Sequence, residues 1–493
     1  MATVGRQSAI SLLGAGTSAA AGVLVTVLLT RGLGQSQAGL VFAATSVFLV
    51  LESLGRVGAD VGLVYFLSRQ RALYAGVSRG TVRVALGPVL VISSGFGIVL
   101  FLVAGPLALV IGGDPSQVTY LQVLALVVPF ASLSNVALGG TRGLGRMLPT
   151  VIVERLGRSV LQLVLVGIGV LVGSGTAAVL GWSASYLPAA ALSLLWLRQG
   201  LQRTRILPGA GLIGGEFWRF TAPRALGGVA QVVLQRLDIV LVAGLRGPAD
   251  AAVYTAATRF LVVGQLASQA LSNAVQPALS RALATGDLAA AKLLYQTSTA
   301  WLVLLVWPMF LSAAVFAPEV LALFGAGYVT GAPAMVLLSL VMLLATGCGF
   351  VDVVLIMAGR TSRSLINAVA ALLVDIGLDV VLIPRIGLFG AAVGWAAAIL
   401  VNNLVPLVQV RRSLGLHPFG RGVCISVVMT LLLFGMLPEG VRLVTDSGPA
   451  TLLAFALATA GYPVLVYRLR EALGLERLAG LVSRLRGMVT GRL

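Results

Sequence analysis

The stretch VRVALGPVLVISSGFGIVLFLVAGPLA, residues 82–108, decides the fold class. After Arg83 it contains no charged side chain, and Gly, Pro and Ser are the only interruptions among its apolar residues. A predominantly apolar run of roughly 20 residues crosses the hydrocarbon core of a bilayer as a helix. The stretch therefore predicts a transmembrane helix, and similar runs recur along the whole chain.

The composition points to the same class of protein. Of the 493 residues, 58% are hydrophobic and 10% are charged, and the mean hydropathy is +1.02. Soluble domains carry about 25% charged residues, and disordered chains have low hydrophobicity, so both classes are excluded. Lys and Arg outnumber Asp and Glu by 34 to 16, but no basic run interleaved with aromatic residues indicates a nucleic-acid surface. We predict an all-α integral membrane protein that binds no nucleic acid.

The apolar runs predict about fourteen transmembrane helices. They lie near residues 8–30, 38–66, 82–108, 118–140, 148–172, 176–197, 217–243, 249–280, 293–316, 332–357, 364–383, 388–410, 420–437 and 448–467. The first run leads into the second without a small-residue cleavage site, which predicts a retained helix and not a signal peptide.

Arginines in the loops predict the orientation in the membrane. Every second loop is basic, beginning with Arg69, Arg71, Arg79 and Arg83, whereas the intervening loops hold only Arg31, Arg246, Arg385 and Arg442. Positive residues favour the cytoplasmic side of a membrane. We therefore expect a multi-pass protein of the cytoplasmic (inner) cell membrane with both termini in the cytoplasm.

A weak internal repeat predicts how the helices are grouped. Gly34, Ala38 and Thr45 match Gly247, Ala251 and Thr258 at one constant offset, which keeps both copies in the same orientation. Such repeats place the substrate between the two halves. The expected organisation is an N-terminal lobe (1–197), a cytoplasmic connector (198–216), a C-terminal lobe (217–410), two further helices (411–467) and a basic cytoplasmic tail (468–493). We thus expect two lobes of about six helices each around a central cavity.

Charged side chains inside the predicted helices mark the candidate site. A charge at the bilayer centre costs on the order of 2.5–3.5 kcal/mol, so each one needs a partner or an aqueous cavity. The candidate anion-binding residues are Arg56, Arg155, Arg158, Arg224, Arg236 and Arg259. The candidate cavity acids are Glu52, Asp60, Asp238, Asp375 and Asp379, and the candidate polar lining residues are Gln231, Gln235, Gln265 and Gln269.

Two interpretations of these charges stay open. The arginines either pair with acids to hold helices together or line a cavity for an anionic group. Glu52 and Arg56 are one helical turn apart and fit the first interpretation. The planar guanidinium group binds phosphate in a bidentate manner, so the second interpretation predicts a phosphorylated cargo.

Enzyme chemistry finds little support in the sequence. It contains no HExxH, GxSxG or P-loop motif, and His417 is its only histidine. Cys348 and Cys424 have no metal-ligand spacing. We therefore predict a protein that is not an enzyme and has neither a metal site nor a cofactor.

The chain resembles the Wzx-type oligosaccharide flippases of the polysaccharide-transporter family. The resemblance rests on RGLGQSQAGLVFAATSVFLVLESLGRVGADVGLVYFLSR (residues 31–69), EFWRFTAPRALGGVAQVVLQRLDIVLVAGLRGPADAAVYTAATRFL (216–261), FGAGYVTGAP (324–333), AGRTSRSLIN (358–367) and LIPRIGLFGAAVGWA (382–396). The superfamily also holds the lipid II flippase and the multidrug and toxin extrusion antiporters.

The resemblance implies a two-lobed, fourteen-helix fold that moves polyprenyl-pyrophosphate-linked oligosaccharide across the cell membrane by alternating access. It also implies that Arg56 and Arg259 line a cationic cavity. The first helix, between Ser8 and Thr30, has no charge, unlike that of the lipid II flippase. This difference puts lipid II itself in doubt as the cargo.

Three functions are weighed. The leading one is a flippase for lipid-linked oligosaccharide, which would contact membrane lipid and work beside the glycosyltransferases or polymerase of its pathway. The second is an antiporter for drugs or metabolites, in which Asp60, Asp238, Asp375 and Asp379 carry a coupling Na⁺ or H⁺. The third is a membrane scaffold for cell-envelope synthesis. The excess of arginine over acid inside the helices favours the first.

Overall fold

The protein is helical throughout the part that the computed structural model describes, residues 2–112, 115–206, 214–445 and 448–473. The first half contains α1 (Ala2–Gly32), α2 (Gln35–Arg56), α3 (Ala59–Tyr74), α4 (Arg79–Ile111), α5 (Pro115–Gly143), a π-helical segment (Thr150–Arg158), α6 (Ser159–Leu171), α7 (Gly175–Ala184) and α8 (Tyr186–Gln202). The only β-type pairing within these ranges is an isolated bridge between Val77 and Ile206.

The second half repeats the pattern of long helices with short connections. It contains α9 (Gly214–Arg246), α10 (Pro248–Ala284), α11 (Leu288–Val315), α12 (Ala317–Ala322), a 3-10 segment (Ala326–Gly331), α13 (Ala332–Gly347), α14 (Val351–Met357), α15 (Thr361–Ile386), α16 (Leu388–Leu414), α17 (Arg421–Thr430), a second π-helical segment (Leu431–Met436), α18 (Leu437–Thr445) and α19 (Gly448–Arg468).

Twelve helical stretches among the described residues are long and apolar enough to cross a membrane. The prediction of an all-α integral membrane protein is therefore confirmed. The predicted spans 148–172 and 249–280 are also helical, as the first π-helical segment with α6 and as α10, but they are not among the twelve. The total of fourteen spans stays a prediction.

The predicted continuous helix over residues 38–66 is wrong. Val57 and Gly58 both have left-handed backbone conformations, with φ of 46° and 71°, and they separate α2 from α3. A left-handed conformation suits glycine but strains a β-branched residue such as valine. The break lies between Arg56 and Asp60, so the two charged residues stand on different helices.

The chain divides into two compact units. The first unit contains Met1–Ala256, Ala322–Tyr328 and Leu378–Ala391. In its core, α5 packs against α2, α3, α4 and α8. Part of that core is the buried cluster of Leu63, Phe66, Val89 and Phe217 with their neighbours.

The second unit contains Ala257–Leu321, Val329–Gly377 and Ala392–Leu493. There α11 packs against α13 and α17, and the Tyr295 hydroxyl donates a 2.6 Å hydrogen bond to the Cys348 carbonyl. The lobe boundaries expected from the internal repeat, 1–197 and 217–410, remain a prediction. The expected tail lies outside the described residues beyond Leu473.

Two glycines let α5 approach α3 closely. A Cβ atom at Gly139 would lie 2.6 Å from the carbonyl oxygen of Asp60, and one at Gly143 would lie 2.6 Å from that of Leu63. The two glycines are one helical turn apart, the spacing with which small residues bring membrane helices together. This contact positions the first turn of α3, which carries Asp60.

We expect Gly139→Ala to lower the free energy of unfolding by about 1–3 kcal/mol, because the added methyl group meets backbone that cannot move aside. Thermal unfolding of the purified protein in detergent measures the effect. Gly87→Ala in α4 is the matched control, since a Cβ atom there meets nothing within 4 Å. Equal melting temperatures for the two variants would contradict the close packing of α5 on α3.

Candidate functional site

Arg56 ends α2 beside two carboxylates. Its Nε lies 2.9 Å from Oε1 of Glu52, and its Nη1 lies 4.0 Å from Oδ2 of Asp60 across the helix break. Glu52 is buried, with 4% of its surface exposed, and Nδ2 of Asn135 donates a 2.9 Å hydrogen bond to the same Oε1. Arg56 and Asn135 thus both contact Glu52, as a buried charge requires.

A second ion pair stands on the first π-helical segment. Nη2 and Nε of Arg158 lie 2.7 and 2.9 Å from Oε1 of Glu154, and Nη1 donates to Oε1 of Gln162 at 3.3 Å. The Cζ atom of Arg158 also lies 4.8 Å from the centre of the Tyr186 ring, within the range of a cation–π contact. Each side of this guanidinium group therefore has a partner.

Aromatic rings continue from Arg158 into the interior of the first unit. The ring centres of Phe48, Trp182 and Tyr186 are each 5.4 Å from the next, in edge-on and tilted arrangements. Phe48 is completely buried and Tyr186 nearly so. These rings fix the position of Tyr186 and with it the charge that lies over its face.

Three further arginines belong to the same electrostatic cluster. Arg142, near the end of α5, lies within electrostatic range of Asp60, Glu154 and Arg155, and Arg236 on α9 lies within electrostatic range of Tyr186. The stem of Arg155 lies against α1, because a Cβ atom at Gly14 would be 3.3 Å from it. We call the following five residues the arginine cluster: Arg56, Arg142, Arg155, Arg158 and Arg236.

The arginine cluster carries more positive than negative charge. Its five arginines outnumber the three acids near them, Glu52, Asp60 and Glu154, which act on Arg56, Arg142 and Arg158. Arg158 is fully engaged by Glu154. By contrast, Nε of Arg142 is buried and has no hydrogen-bond partner among the described residues. The cluster therefore has donors left over for an anionic group.

The polar lining residues predicted on α9 precede Arg236, a member of the cluster, on the same helix. Gln231 is exposed and Gln235 is half-buried. The backbone of Arg224 is part of α9, but its side chain lies outside the described part of the structure.

A separate group of acids lies in the same unit. Asp238 on α9 and Asp379 on α15 are buried, and their carboxylate oxygens lie within 4.8 Å of one another. The Tyr254 hydroxyl donates a 2.7 Å hydrogen bond to Oδ2 of Asp238. Neither carboxylate oxygen of Asp379 accepts a hydrogen bond from any described residue. Asp375, also buried on α15, belongs to the second unit.

The remaining predicted residues belong to the second unit. Arg259 is half-buried on α10, with a buried Nε atom. Gln265 is half-buried, and Gln269 is exposed and donates a 3.1 Å hydrogen bond to Asn273. Their roles as lining residues of a shared cavity remain a prediction.

Several partners were missed by the reasoning from sequence. Arg142 falls at the end of its helix, where arginine is also typical of a cytoplasmic loop, and Glu154 stands one turn before Arg158. The i,i+4 spacing of a Glu and an Arg was a usable signal for that pair. Asn135, Tyr186 and Tyr254 give no signal in the sequence, since only the packing brings them to the charges.

Known structures share this fold. A multidrug resistance transporter of the MATE family in an inward-facing conformation matches with a TM-score of 0.69 and 17% identity, over 81% of this chain and 94% of that one. The lipid II flippase MurJ in an inward closed conformation matches with 0.66 and 13%, over 92% and 98%. A MOP superfamily transporter from Pyrococcus furiosus matches with 0.61 and 18%, over 83% and 95%.

These likenesses establish the fold of the MOP superfamily of transporters. No curated protein matches the chain. A family described as polysaccharide biosynthesis protein matches residues 28–332. Because this match covers more than half of the sequence, the chain belongs to the family of polysaccharide biosynthesis proteins.

Proposed function

We propose that the protein is a flippase that moves a polyprenyl-pyrophosphate-linked oligosaccharide from the cytoplasmic to the outer leaflet by alternating access. The observation that carries the proposal is the arginine cluster, with five guanidinium groups against three carboxylates inside a helical membrane protein. Cations are not expected as cargo at such a site, because its surplus of positive charge repels them in a medium of low dielectric constant.

The chemistry of the cluster favours phosphate over other anions. Arginine presents parallel N–H donors that match two oxygens of one phosphate group, and such charge-assisted pairs are among the strongest hydrogen bonds in proteins. Arg142 and Arg236 are the members we expect to take the pyrophosphate. Arg158 is already held by Glu154 and is expected to shape the site.

The family assignment supports an oligosaccharide carried on lipid. A polysaccharide assembled from cytoplasmic precursors has to cross the membrane, and a flippase is the transporter that such a pathway needs. One structure that shares the fold is a lipid II flippase. By this proposal the protein lies in the cell membrane with both termini in the cytoplasm, catalyses no reaction and works beside glycosyltransferases or a polymerase.

A coupling cation is a second part of the proposal, and it rests on the acids near α9. Asp238 and Asp379 are buried close together, and Asp379 accepts no hydrogen bond from the described residues. Two neighbouring carboxylates repel unless a cation or a proton is shared between them. We propose that Na⁺ or H⁺ binds there and drives transport. The same residues would serve a cation-coupled drug or metabolite antiporter, the alternative function.

Arg142→Gln and Arg236→Gln are expected to reduce glycan export per folded molecule at least tenfold, because the phosphate loses a counter-charge where water is scarce. The lysine variants keep the charge but lose the bidentate geometry, so we expect an intermediate loss. Export in a strain that lacks the chromosomal copy, divided by the amount of folded protein, measures the effect. Arg83→Gln, which removes an exposed charge, is the control.

If every variant in this series exports like the wild type per molecule, the cluster does not bind the cargo. Arg158→Gln supplies the contrast. It leaves the half-buried Glu154 without its partner, and the loss of one partner from a buried pair costs up to roughly 3–5 kcal/mol. We therefore expect it to deplete the folded protein.

A paired substitution separates the two interpretations of Arg56. Arg56→Gln alone strands the buried Glu52 and is expected to lower the melting temperature. Adding Glu52→Gln removes the stranded charge, so the double variant is expected to fold like the wild type. If Arg56 binds phosphate, the double variant still exports poorly; export at the wild-type level would show that Arg56 serves only as a partner of Glu52.

Thermal stability tests whether a cation binds between Asp238 and Asp379. We expect the melting temperature of the wild type to rise when NaCl replaces choline chloride at constant ionic strength. At a Na⁺ concentration one hundred times the Kd, binding adds about 2.7 kcal/mol to the free energy of unfolding. Asp379→Asn is expected to abolish this rise, whereas Glu439→Gln, an exposed acid, keeps it. A dependence on pH without one on Na⁺ would identify the proton as the coupling ion. No dependence on either would refute the coupling site.

A further inference from the structure

Helix α8 ends between two pockets that the transport site does not use. One pocket, of about 390 Å³, lies between α8 and α4 and is lined by Arg79, Arg198 and leucines. The other, of about 330 Å³, lies between α8 and the residues before the π-helical segment and is lined by Arg146, Arg203 and Trp196. Both belong to the first unit. We call them the α4 pocket and the Trp196 pocket.

The α4 pocket is built for an anion. Arg79 is the first residue of α4, where the helix dipole favours negative charge, and the Ser78 hydroxyl already accepts a hydrogen bond from the Gly80 N–H. Arg198 adds a second guanidinium group. Among the described residues no carboxylate lies within ion-pair distance of either arginine. The pocket therefore holds two cations without a counter-charge.

The Trp196 pocket repeats this chemistry on the other side of α8. Arg146 and Arg203 supply the charges, and no described carboxylate pairs with them either. Trp196 adds an indole ring, a side chain enriched where membrane meets water. Leu148 contributes apolar surface and is half exposed, at 51%.

The apolar floors indicate that the occupant is a lipid and not a soluble anion. Leu86, Leu194 and Leu197 line the α4 pocket below its arginines. Further along the same helices, Val91 and Leu195 are exposed at 72% and 49%, as expected for surface that faces acyl chains. A phosphate on the arginines would place its acyl chains against these residues. A free phosphate would leave the leucines uncovered.

We propose that each pocket binds the head group of an anionic phospholipid, with the phosphate on the paired arginines and the acyl chains along α4 and α8. The proposal rests on the proposed topology in one respect. The positive loops place this end of α8 at the cytoplasmic leaflet, where anionic lipids supply about 1 kcal/mol of attraction per arginine. The lipid is a bound component here and not the transported cargo.

Lipid retention by the purified protein tests the proposal without any transport assay. The protein is equilibrated in micelles that contain phosphatidylglycerol and phosphatidylcholine, and bound lipids are counted by native mass spectrometry. The wild type is expected to retain two phosphatidylglycerol molecules in preference to phosphatidylcholine. Arg79→Gln with Arg198→Gln is expected to lose one of them, with affinity at that site roughly thirtyfold weaker. Arg146→Gln with Arg203→Gln is expected to lose the other.

The matched control is Arg83→Gln with Arg205→Gln, which removes two exposed arginines of the same basic surface that line neither pocket. Its lipid count should equal that of the wild type. An equal loss in the control would show a diffuse surface attraction and overturn the proposal, as would full retention in the pocket variants. Displacement of the lipid by glycerol 3-phosphate at similar concentration would identify a site for soluble anions instead. A failure of the flippase proposal would change none of these counts.

Discussion

A charge that leaves water has to find its counter-charge within the protein, and this constraint organises the interior of the first unit. Glu52 and Arg56 on α2, and Glu154 and Arg158 on the π-helical segment, satisfy it within single helical stretches. The neighbours then complete the hydrogen bonds: Asn135 on Glu52, and Tyr186 over Arg158. Gly139 and Gly143 in α5 bring α3, and with it Asp60, close to α5. Packing and electrostatics are thus one problem here, because a helix displaced by an ångström would strand a buried charge.

The first unit holds two electrostatic environments of opposite sign. The arginine cluster has a surplus of positive charge, while Asp238 and Asp379 bring negative charge together near α9 and α15. In a medium of low dielectric constant such charges are felt over longer distances than in water. An anion at the arginine cluster and a cation between Asp238 and Asp379 would each neutralise the charge at its site, so the binding of one would favour the binding of the other.

Much of the fold follows from the sequence, because in a bilayer length and polarity alone select helices. All fourteen predicted runs fall on helices, although the runs 38–66 and 332–357 are each interrupted, and the spacing of Glu52 and Arg56 gives their ion pair correctly. The helix break was not predictable, since Val57 is an ordinary apolar residue in the sequence and only the structure shows its left-handed conformation. A π-helical turn has no signature in composition either. The proximity of Asp238 to Asp379 joins helices far apart in the chain, and only the folded structure brings them together.

The break at Val57 and Gly58 affects how fast the angle between α2 and α3 can change. Bending a regular helix in a bilayer ruptures backbone hydrogen bonds that no water replaces, and this adds to the activation barrier of any movement. Between α2 and α3 the backbone hydrogen bonds of the helix are already interrupted. A change in the angle between these helices therefore breaks fewer of them. The strain in the left-handed valine raises the energy of the resting state by a further 1–3 kcal/mol or so. A change in the angle between α2 and α3 would then depend less steeply on temperature than the bending of an intact helix.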